Sequence, residues 1–254
     1  MSILKIRDIV VGEGLPKIII PLVSGEANHL LEEAEYVRQQ LPDIVEWRVD
    51  LFNQVDELES VMEMLKQLRG LLMEIPLLFT FRSHREGGNK EISDAFYAEL
   101  NIEAIKSGYI DMVDVELFNS DEVRDSVSAV AKQNQVVVVM SNHDFSKTPD
   151  KEEIINRLRK MQVLGADIPK IAVMPNNVAD VITLLDATNT MKTQFADRPI
   201  ITMSMAGTGV ISRLAGELFG SACTFAAGKS ASAPGQIPVS DLRSVLDIFH
   251  KSMR

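Results

Sequence analysis

Cysteine is nearly absent from the sequence, which restricts both its chemistry and its cellular setting. Cys223 is the one cysteine among 254 residues, so it has no partner for an intramolecular disulfide. Chains without disulfides are typical of reducing compartments, and we therefore expect a cytoplasmic protein. Thiolate metal sites are disfavoured, and His84 and Glu86 have no further ligands at metal spacing. We expect neither a metal nor another cofactor.

Long apolar runs and basic patches are also lacking. No apolar run reaches the roughly 18 residues that a membrane-spanning helix needs. Lys5, Arg7 and Asp8 interrupt the apolar segment at the amino terminus, so we expect no signal peptide there. Acidic residues outnumber basic ones by 36 to 26, which gives a formal net charge of −10. Because such a protein repels a phosphate backbone, we expect no nucleic-acid partner and no membrane partner.

The sequence does contain a regular series of short apolar runs rich in β-branched residues. These eight runs start about 23–35 residues apart, the length of a strand plus a crossover helix. They cover residues 17–23, 43–50, 76–82, 111–117, 135–143, 168–174, 199–205 and 222–228. Most are continuously apolar rather than alternating, which is typical of parallel strands covered on both faces.

Amphipathic helical patterns fill the intervals between these runs. In the last interval, Ser240 is a candidate N-cap, and Leu242, Leu246 and Phe249 follow on one face. No linker or change of composition divides the chain. We therefore predict one domain over residues 1–254, an α/β fold of the (β/α)8 TIM-barrel type. The segment VVGEG at 10–14 is expected to form a hairpin or a plug that closes the barrel bottom. A doubly wound open sheet is the alternative fold.

In a (β/α)8 barrel, active-site residues lie at the carboxyl ends of the strands. The polar candidates at those positions are Glu46, Arg48, Asp50, Arg82, Glu86, Asp114, Glu116, Ser141, Asn142, His143, Asp144, Lys170, Arg213, Lys229, Ser230, Ser232 and Gln236. The two-residue period of a strand puts Glu46 and Arg48 on one face and turns Trp47 towards the helices. Several strands therefore direct charges into the barrel. These charges form either a functional layer or a structural network of ion pairs.

Lys170 and His143 are the most informative of these candidates. Lys170 stands among apolar residues, and an unpaired lysine buried there has a lowered pKa and can attack a carbonyl as a neutral amine. The alternative is a lysine at the start of the strand that extends to water. His143 ends a very apolar strand and suits proton transfer near neutral pH, with Glu86 as its partner if the two loops meet. The alternative for His143 is a capping role.

Several segments of the chain occur in order in one known family. Asp114-Val115-Glu116-Leu117, followed after twenty residues by VVMSNHD at 138–144, resembles the signature of type I 3-dehydroquinate dehydratases. Further similar blocks are EWRVD (46–50), FTFRS (79–83), EGG (86–88), DIPKIA (167–172), ITMSMAGTGVISRLAGE (201–217) and SAPGQ (232–236). The resemblance implies a (β/α)8 barrel that converts 3-dehydroquinate to 3-dehydroshikimate in the shikimate pathway.

The resemblance also implies roles for individual residues. Lys170 forms an imine with the substrate ketone, His143 is the general acid and base, and Glu86 is the partner of His143. The positions that match substrate-binding residues are Glu46, Arg48, Arg82, Arg213, Ser232 and Gln236, and Trp47 is included with them. The ligand is thus an anionic cyclic polyol ketone, the 228–236 loop closes over it, and the protein is a homodimer. Pro21 stands where some relatives carry serine, so a contact there is lost or passes to Ser24.

Two other functions remain open at this point. One is a Schiff-base aldolase of the same fold that acts on a phosphorylated sugar. It would need a phosphate site formed by residues 207–209 and 228–230, where helix and loop amides are suited to an anion. The other is a non-catalytic barrel that binds a metabolite or a protein partner.

Overall fold

The computed structural model describes residues 3–229 and 232–253. Within them, β1 and β2 form an antiparallel hairpin and eight further strands form one parallel sheet. The hairpin strands are β1 (Leu4–Ile6) and β2 (Ile9–Val11). The sheet strands are β3 (Lys17–Leu22), β4 (Ile44–Arg48), β5 (Leu77–Thr80), β6 (Met112–Glu116), β7 (Val137–Asp144), β8 (Ile168–Val173), β9 (Ile201–Ser204) and β10 (Cys223–Phe225).

Helices connect successive strands. They are α1 (Ala27–Gln39), α2 (Leu58–Leu72), α3 (Asp94–Lys106), α4 (Asp121–Gln133), α5 (Lys151–Val163), α6 (Val178–Thr190), α7 (Val210–Leu214), α8 (Gly216–Phe219) and α9 (Val239–Ser252). The side chains of Ser93, Ser120 and Asp150 cap α3, α4 and α5 by accepting backbone N–H bonds. Ser240 is not the cap that we expected, because α9 begins one residue before it. Within the described residues, no helix is both long and apolar enough to cross a bilayer.

The strands follow one another around a barrel in chain order. β10 pairs with β3, and pairing then continues through β4 to β9. A parallel bridge between Ile200 and Ser221 joins the two remaining edges at the amino-terminal end. This circular order confirms the (β/α)8 prediction and shows that the doubly wound alternative is wrong, because an open sheet would not bring β9 beside β10.

The barrel interior changes character along the strands. At the amino-terminal end it is filled by Ile19, Ile44, Leu78, Met112, Val139, Ile168, Ile201 and Cys223. Ile6 and Val11 from the hairpin belong to the same apolar cluster, so a hairpin closes this end as predicted. It is formed by residues 4–11, however, and the predicted segment VVGEG contributes only the end of its second strand. Two residues further along, the inward positions include Glu46, Asp114 and Lys170, all of them buried. The next inward positions carry Arg48, Arg82 and His143, and the site lies at this end.

Candidate active site

A cavity of about 270 Å³ lies at the carboxyl ends of the strands. The predicted residues that line it are Glu46, Arg48, Arg82, Glu86, His143, Lys170, Ser232 and Gln236. Residues from β4, β7 and β8 and from the segments after β5 and β10 thus meet at one place, although they are up to 190 positions apart in the sequence. The polar layer therefore borders a cavity rather than filling the barrel mouth.

Lys170 lies in the middle of β8 and is 3% exposed, so it is not a lysine that extends to water. Its Nζ is 3.2 Å from Asp114 Oδ2 and 3.8 Å from Glu46 Oε1. The ring of Phe225 lies beneath it, 4.8 Å from Nζ to the centroid. The expectation of an unpaired lysine was wrong, since two carboxylates stand beside the amine. The amine nevertheless faces the cavity and is held at a fixed position.

Glu86 and His143 meet across two loops, as the partner hypothesis required. Glu86 Oε2 is 2.9 Å from His143 Nδ1 and accepts the backbone N–H of His143 at 2.9 Å. The amide of Asn142 donates to Glu86 Oε1 at 3.1 Å. An ionised Glu86 fixes the proton of a neutral imidazole on Nδ1, and Nε2 is then free to act as a base. A purely capping role for His143 does not explain this second bond to the ring.

Burial and charge shift the titration of this pair. Burial and the nearby Glu116 carboxylate raise the pKa of Glu86 to about 8, although Arg82 and Asn142 act in the opposite direction. The pKa of His143 is well below its ordinary value because of burial and the cations Arg82, Lys170 and Arg48. Raising the pH takes one proton from the pair and leaves an ionised Glu86 that accepts the Nδ1–H of a neutral His143, with Nε2 free to act as a base.

The turn after β5 is built to bring Glu86 back over the barrel. Residues His84–Glu86 form one 3-10 turn, and Gly87 follows at φ 88°, in the left-handed region that favours glycine. A Cβ atom on Gly87 would overlap the ring of Phe145, and one on Gly88 would overlap the carbonyl of Arg82. The turn that positions Glu86 therefore requires the two glycines of the EGG motif, because larger side chains would not fit there.

Arg82 and Arg48 are already paired with carboxylates of the protein. Arg82 lies 2.8 Å from Glu116 and 2.9 Å from Asp114, and it also donates to Ser141 at 3.0 Å. Arg48 makes two bonds of 2.8 Å to Asp50. The polar layer is thus also an ion-pair network, and its arginines hold their side-chain positions without a ligand.

Arg213, on α7, differs from these arginines. It is 1% exposed, and no carboxylate pairs with it among the residues that the structure describes. One amino group donates to the Pro234 carbonyl at 3.2 Å, another lies 3.8 Å from the Met203 sulfur, and Nε has no partner in the described structure. Burial lowers its pKa to about 10. Met203 and Pro234 line the cavity, so this charge lies directly behind the wall.

The loop after β10 contributes Ser232 and Gln236. The Ser232 N–H donates to Gln236 Oε1 at 2.8 Å, and Gln236 Nε2 donates to Ser232 Oγ at 2.9 Å. The backbone of Ala206 donates to Pro234 at 3.1 Å and holds this part of the loop against the end of β9. Two residues of the predicted closing loop, Ser230 and residue 231, lie outside the described residues, and Ser230 also belongs to the alternative phosphate site.

One predicted contact with the substrate, that of Trp47, is not supported. Trp47 is fully buried between the strands and the helices, edge-on to Phe52 and Phe79 at 5.7 Å each. Strand alternation turns it away from the interior, so it is removed from the substrate-binding set. Pro21 and Ser24 do not line the cavity either. No cluster of three His, Cys, Asp or Glu side chains in the described part of the chain is arranged to hold a metal.

Comparison with known proteins identifies relatives of the whole chain. A model of the family described as "Type I 3-dehydroquinase" matches residues 18–253. A 3-dehydroquinate dehydratase of Bacillus velezensis is 62% identical over 100% of both chains, and one of Bacillus subtilis is 58% identical over 100% of both. The crystal structure of a type I 3-dehydroquinate dehydratase from Clostridium difficile is 54% identical, with a TM-score of 0.97 over 99% of both chains.

The chain belongs to the type I 3-dehydroquinase family. It is therefore an enzyme, and its class is that of the hydro-lyases. The comparisons confirm the family resemblance, and the circular strand order agrees with it.

Sequence reasoning missed several cavity residues of this family member. Phe145, Ala172, Met203, Met205 and Phe225 line the cavity, although none of them is among the candidate residues named from the sequence. Strand alternation could have identified three of them, because each lies two positions after an inward-facing residue of its own strand. These pairs are Lys170 and Ala172, Ile201 and Met203, and Cys223 and Phe225. Phe145 gives no comparable signal, because its position depends on the close approach of two loops.

Proposed function

We propose that this chain dehydrates 3-dehydroquinate to 3-dehydroshikimate through an imine on Lys170. The observation that carries the proposal is the shared cavity, into which the Lys170 amine and the Glu86–His143 pair both project. An amine, an acid–base group and an electron sink at one place are what the elimination of water beside a ketone requires.

The first step is attack of the Lys170 amine on the C3 carbonyl carbon, with loss of one water as the imine forms. The attacking amine must be neutral, and the carboxylates of Asp114 and Glu46, 3.2 Å and 3.8 Å from Nζ, hold it in position for the attack. Phe225 covers the other side of the amine, 4.8 Å away, and limits where the nitrogen can point. The protonated imine withdraws electrons from C2 and makes the C2 proton acidic.

The second step uses the histidine. Nε2 of His143 takes the C2 proton, and the electron pair moves onto the imine nitrogen to give an enamine. The resulting imidazolium is stabilised by Glu86, 2.9 Å from Nδ1. The enamine then expels the C1 hydroxyl, which leaves as water with the proton from His143. Hydrolysis of the conjugated imine returns Lys170 and releases the enone product.

The substrate carboxylate is assigned to the side of the cavity near Arg213. That arginine is a buried cation without a protein carboxylate in the described structure, and an anionic ligand supplies the missing partner. Ser232 and Gln236 lie on the same side and carry hydrogen-bonding groups. Glu46, Arg48 and Arg82 line the remaining polar wall and are assigned to the hydroxyl groups. This arrangement accommodates a carboxylate, and the family to which the chain belongs favours that ligand over the phosphorylated sugar of the alternative function.

Borohydride reduction in the presence of 3-dehydroquinate tests the proposal. We expect a covalent adduct on Lys170 by mass spectrometry, and formation of the conjugated enone measured by its absorbance. Lys160→Ala, at an exposed lysine on α5, is the control and retains both signals. Lys170→Ala loses the adduct and the turnover. An adduct on another lysine, or undiminished turnover by Lys170→Ala, would overturn the mechanism.

The setting of the enzyme is also part of the proposal. We infer a homodimer in the cytoplasm, formed from a single-domain chain of residues 1–254. The family resemblance supports the dimer, and the single, buried Cys223 supports a reducing compartment. Sedimentation equilibrium checks the oligomeric state, and a mass of one chain at micromolar concentration would contradict it.

A further inference from the structure

We infer that Arg157, on α5, is a positioning residue that acts on Glu86 through the side-chain amide of Asn142. Arg157 does not line the substrate cavity. Its Nη1 donates to Asn142 Oδ1 at 2.9 Å, and Asn142 Nδ2 donates to Glu86 Oε1 at 3.1 Å. The inference rests on the proposed function, because it assigns a purpose to the orientation of the Glu86–His143 pair.

The guanidinium determines which way the Asn142 amide points. A guanidinium has donors and no acceptor, so the amide atom that faces Arg157 must be the oxygen. The NH2 group then faces the Glu86 carboxylate, which accepts. If the amide were reversed, its NH2 would face the guanidinium and its oxygen would face the carboxylate, and both bonds would be lost. Asn142 is 3% exposed, so water does not readily replace them.

The bond from Asn142 is important for one particular oxygen of Glu86. Both contacts with His143, from its backbone N–H and from Nδ1, go to Oε2. In the described structure, Oε1 accepts from Asn142 Nδ2 and from no other group. Asn142 therefore fixes the rotation of the carboxyl group about its terminal bond, and this rotation aims Oε2 at the imidazole.

Arg157 is itself held in place. Its Nε donates to Glu153 at 2.6 Å, one helical turn earlier on α5. The ring of Phe118 lies 5.5 Å from the guanidinium carbon. These contacts leave Nη1 for Asn142, so a rigid helix outside the barrel fixes a side chain that borders the cavity.

Other charged groups also act on Glu86 and must be kept unchanged in a test. The charged groups that face it are Arg82 after β5, Asp114 and Glu116 on β6, and His143 on β7. The cations that act on His143 itself are Arg82, Lys170 and Arg48. None of these forms a hydrogen bond with Arg157 in the described structure, so Asn142 is its hydrogen-bonded connection to the pair.

The decisive variant is Arg157→Met, measured by the pH profile of kcat/KM for 3-dehydroquinate. Loss of a donor to an ionised carboxylate raises its proton affinity, so the acidic limb moves to higher pH by about half a unit or more. We expect kcat to fall about tenfold with little change in KM, because the change affects the acid–base group and not the binding groups. Arg157→Lys keeps a side chain that only donates hydrogen bonds, so its kcat and the position of its acidic limb should lie between those of Arg157→Met and the wild type.

Two comparisons separate positioning from a general structural role. Arg159→Met removes the same charge from the same helix at an exposed residue whose guanidinium lies over Phe195, and we expect a profile like that of the wild type. The double variant Arg157→Met/Asn142→Ala should be no slower than Asn142→Ala alone, since both changes break one connection. If Arg157→Met fails to fold, this comparison is made with Arg157→Lys.

The outcomes also distinguish this inference from the proposed function. A wild-type enzyme that gives no adduct and no enone refutes the proposed function itself. A wild-type enzyme that gives both, with Arg157→Met unshifted in its acidic limb, refutes the role of Arg157 alone. Additive losses in the double variant would also refute it, because Arg157 would then act by a route that does not include Asn142.

Discussion

The two ends of the barrel interior are formed by the same strands, but one end is packed with apolar side chains and the other contains buried ion pairs. At the amino-terminal end, apolar side chains of the strands pack against those of the hairpin. At the other end, carboxylates and cations are buried within about 4 Å of one another. β8 shows both, since Ile168 belongs to the apolar cluster and Lys170, two residues later on the same face, is charged. The interior therefore changes from apolar to charged between two successive inward-facing positions of one strand.

This contrast separates stability from chemistry. Apolar burial at the amino-terminal end contributes free energy of folding in proportion to the area removed from water. Buried ion pairs at the other end offset the cost of desolvation at best, so they are weak evidence of stabilisation. We therefore propose that the charged layer serves ligand binding and chemistry, so substitutions there should lower activity more than stability, and substitutions at the amino-terminal end should lower stability more than activity.

The largest effects are expected from a pair of substitutions on β8. Lys170→Met should abolish turnover, because no other lysine lines the described part of the cavity to form the imine. Ile168→Ala should lower the free energy of unfolding by about 2–5 kcal/mol, while the folded fraction keeps its kcat. Urea unfolding and steady-state assays of both variants check this. Loss of kcat in folded Ile168→Ala would show that the two ends are not independent.

A smaller effect is expected at Glu86. Glu86→Gln should lower kcat roughly 100-fold, because an amide can donate to Nδ1 and so favour the wrong tautomer of His143. The limb near pH 8 in the wild-type kcat/KM profile should disappear, since the group whose pKa is raised to about 8 is gone. A profile with its limb unchanged would assign that pKa to another group.

The same substitution has a stability signature with a defined sign. The folded-state pKa of about 8 lies above the ordinary 4.5, so between these values the folded protein holds a proton that the unfolded chain has released. The contribution of Glu86 to stability therefore falls as the pH rises through this interval. Relative to wild type, Glu86→Gln should gain stability from pH 5 to pH 8, as measured by urea unfolding. A constant difference would show that the pKa is not raised.

The contrast between the ends is also the reason why the sequence predicted one part of the molecule better than another. Strand spacing and apolar runs identified the barrel, because both are local properties of the chain. Strand alternation correctly turned Glu46 and Arg48 inward. It could not show that Asp114 stands 3.2 Å from Lys170, since that distance depends on the register of β6, β7 and β8 around the barrel. The connection from Arg157 to Glu86 joins three separate elements and has no linear signature.

Arg213 provides the smallest of the expected effects and the sharpest test of the comparison, because it is a buried cation without a carboxylate partner in the described structure. Arg213→Met should raise KM at least about tenfold, since a bond to a charged ligand group contributes about 1.5–3 kcal/mol. Stability should stay equal or rise by about 1 kcal/mol, because an apolar side chain of similar length replaces an unpaired buried charge. Arg82→Met should instead destabilise the protein, as Asp114 and Glu116 would each lose an ion pair. Thermal unfolding of the two variants without ligand distinguishes these expectations. A large loss of stability in Arg213→Met would mean that this charge stabilises the fold rather than binding an anionic substrate.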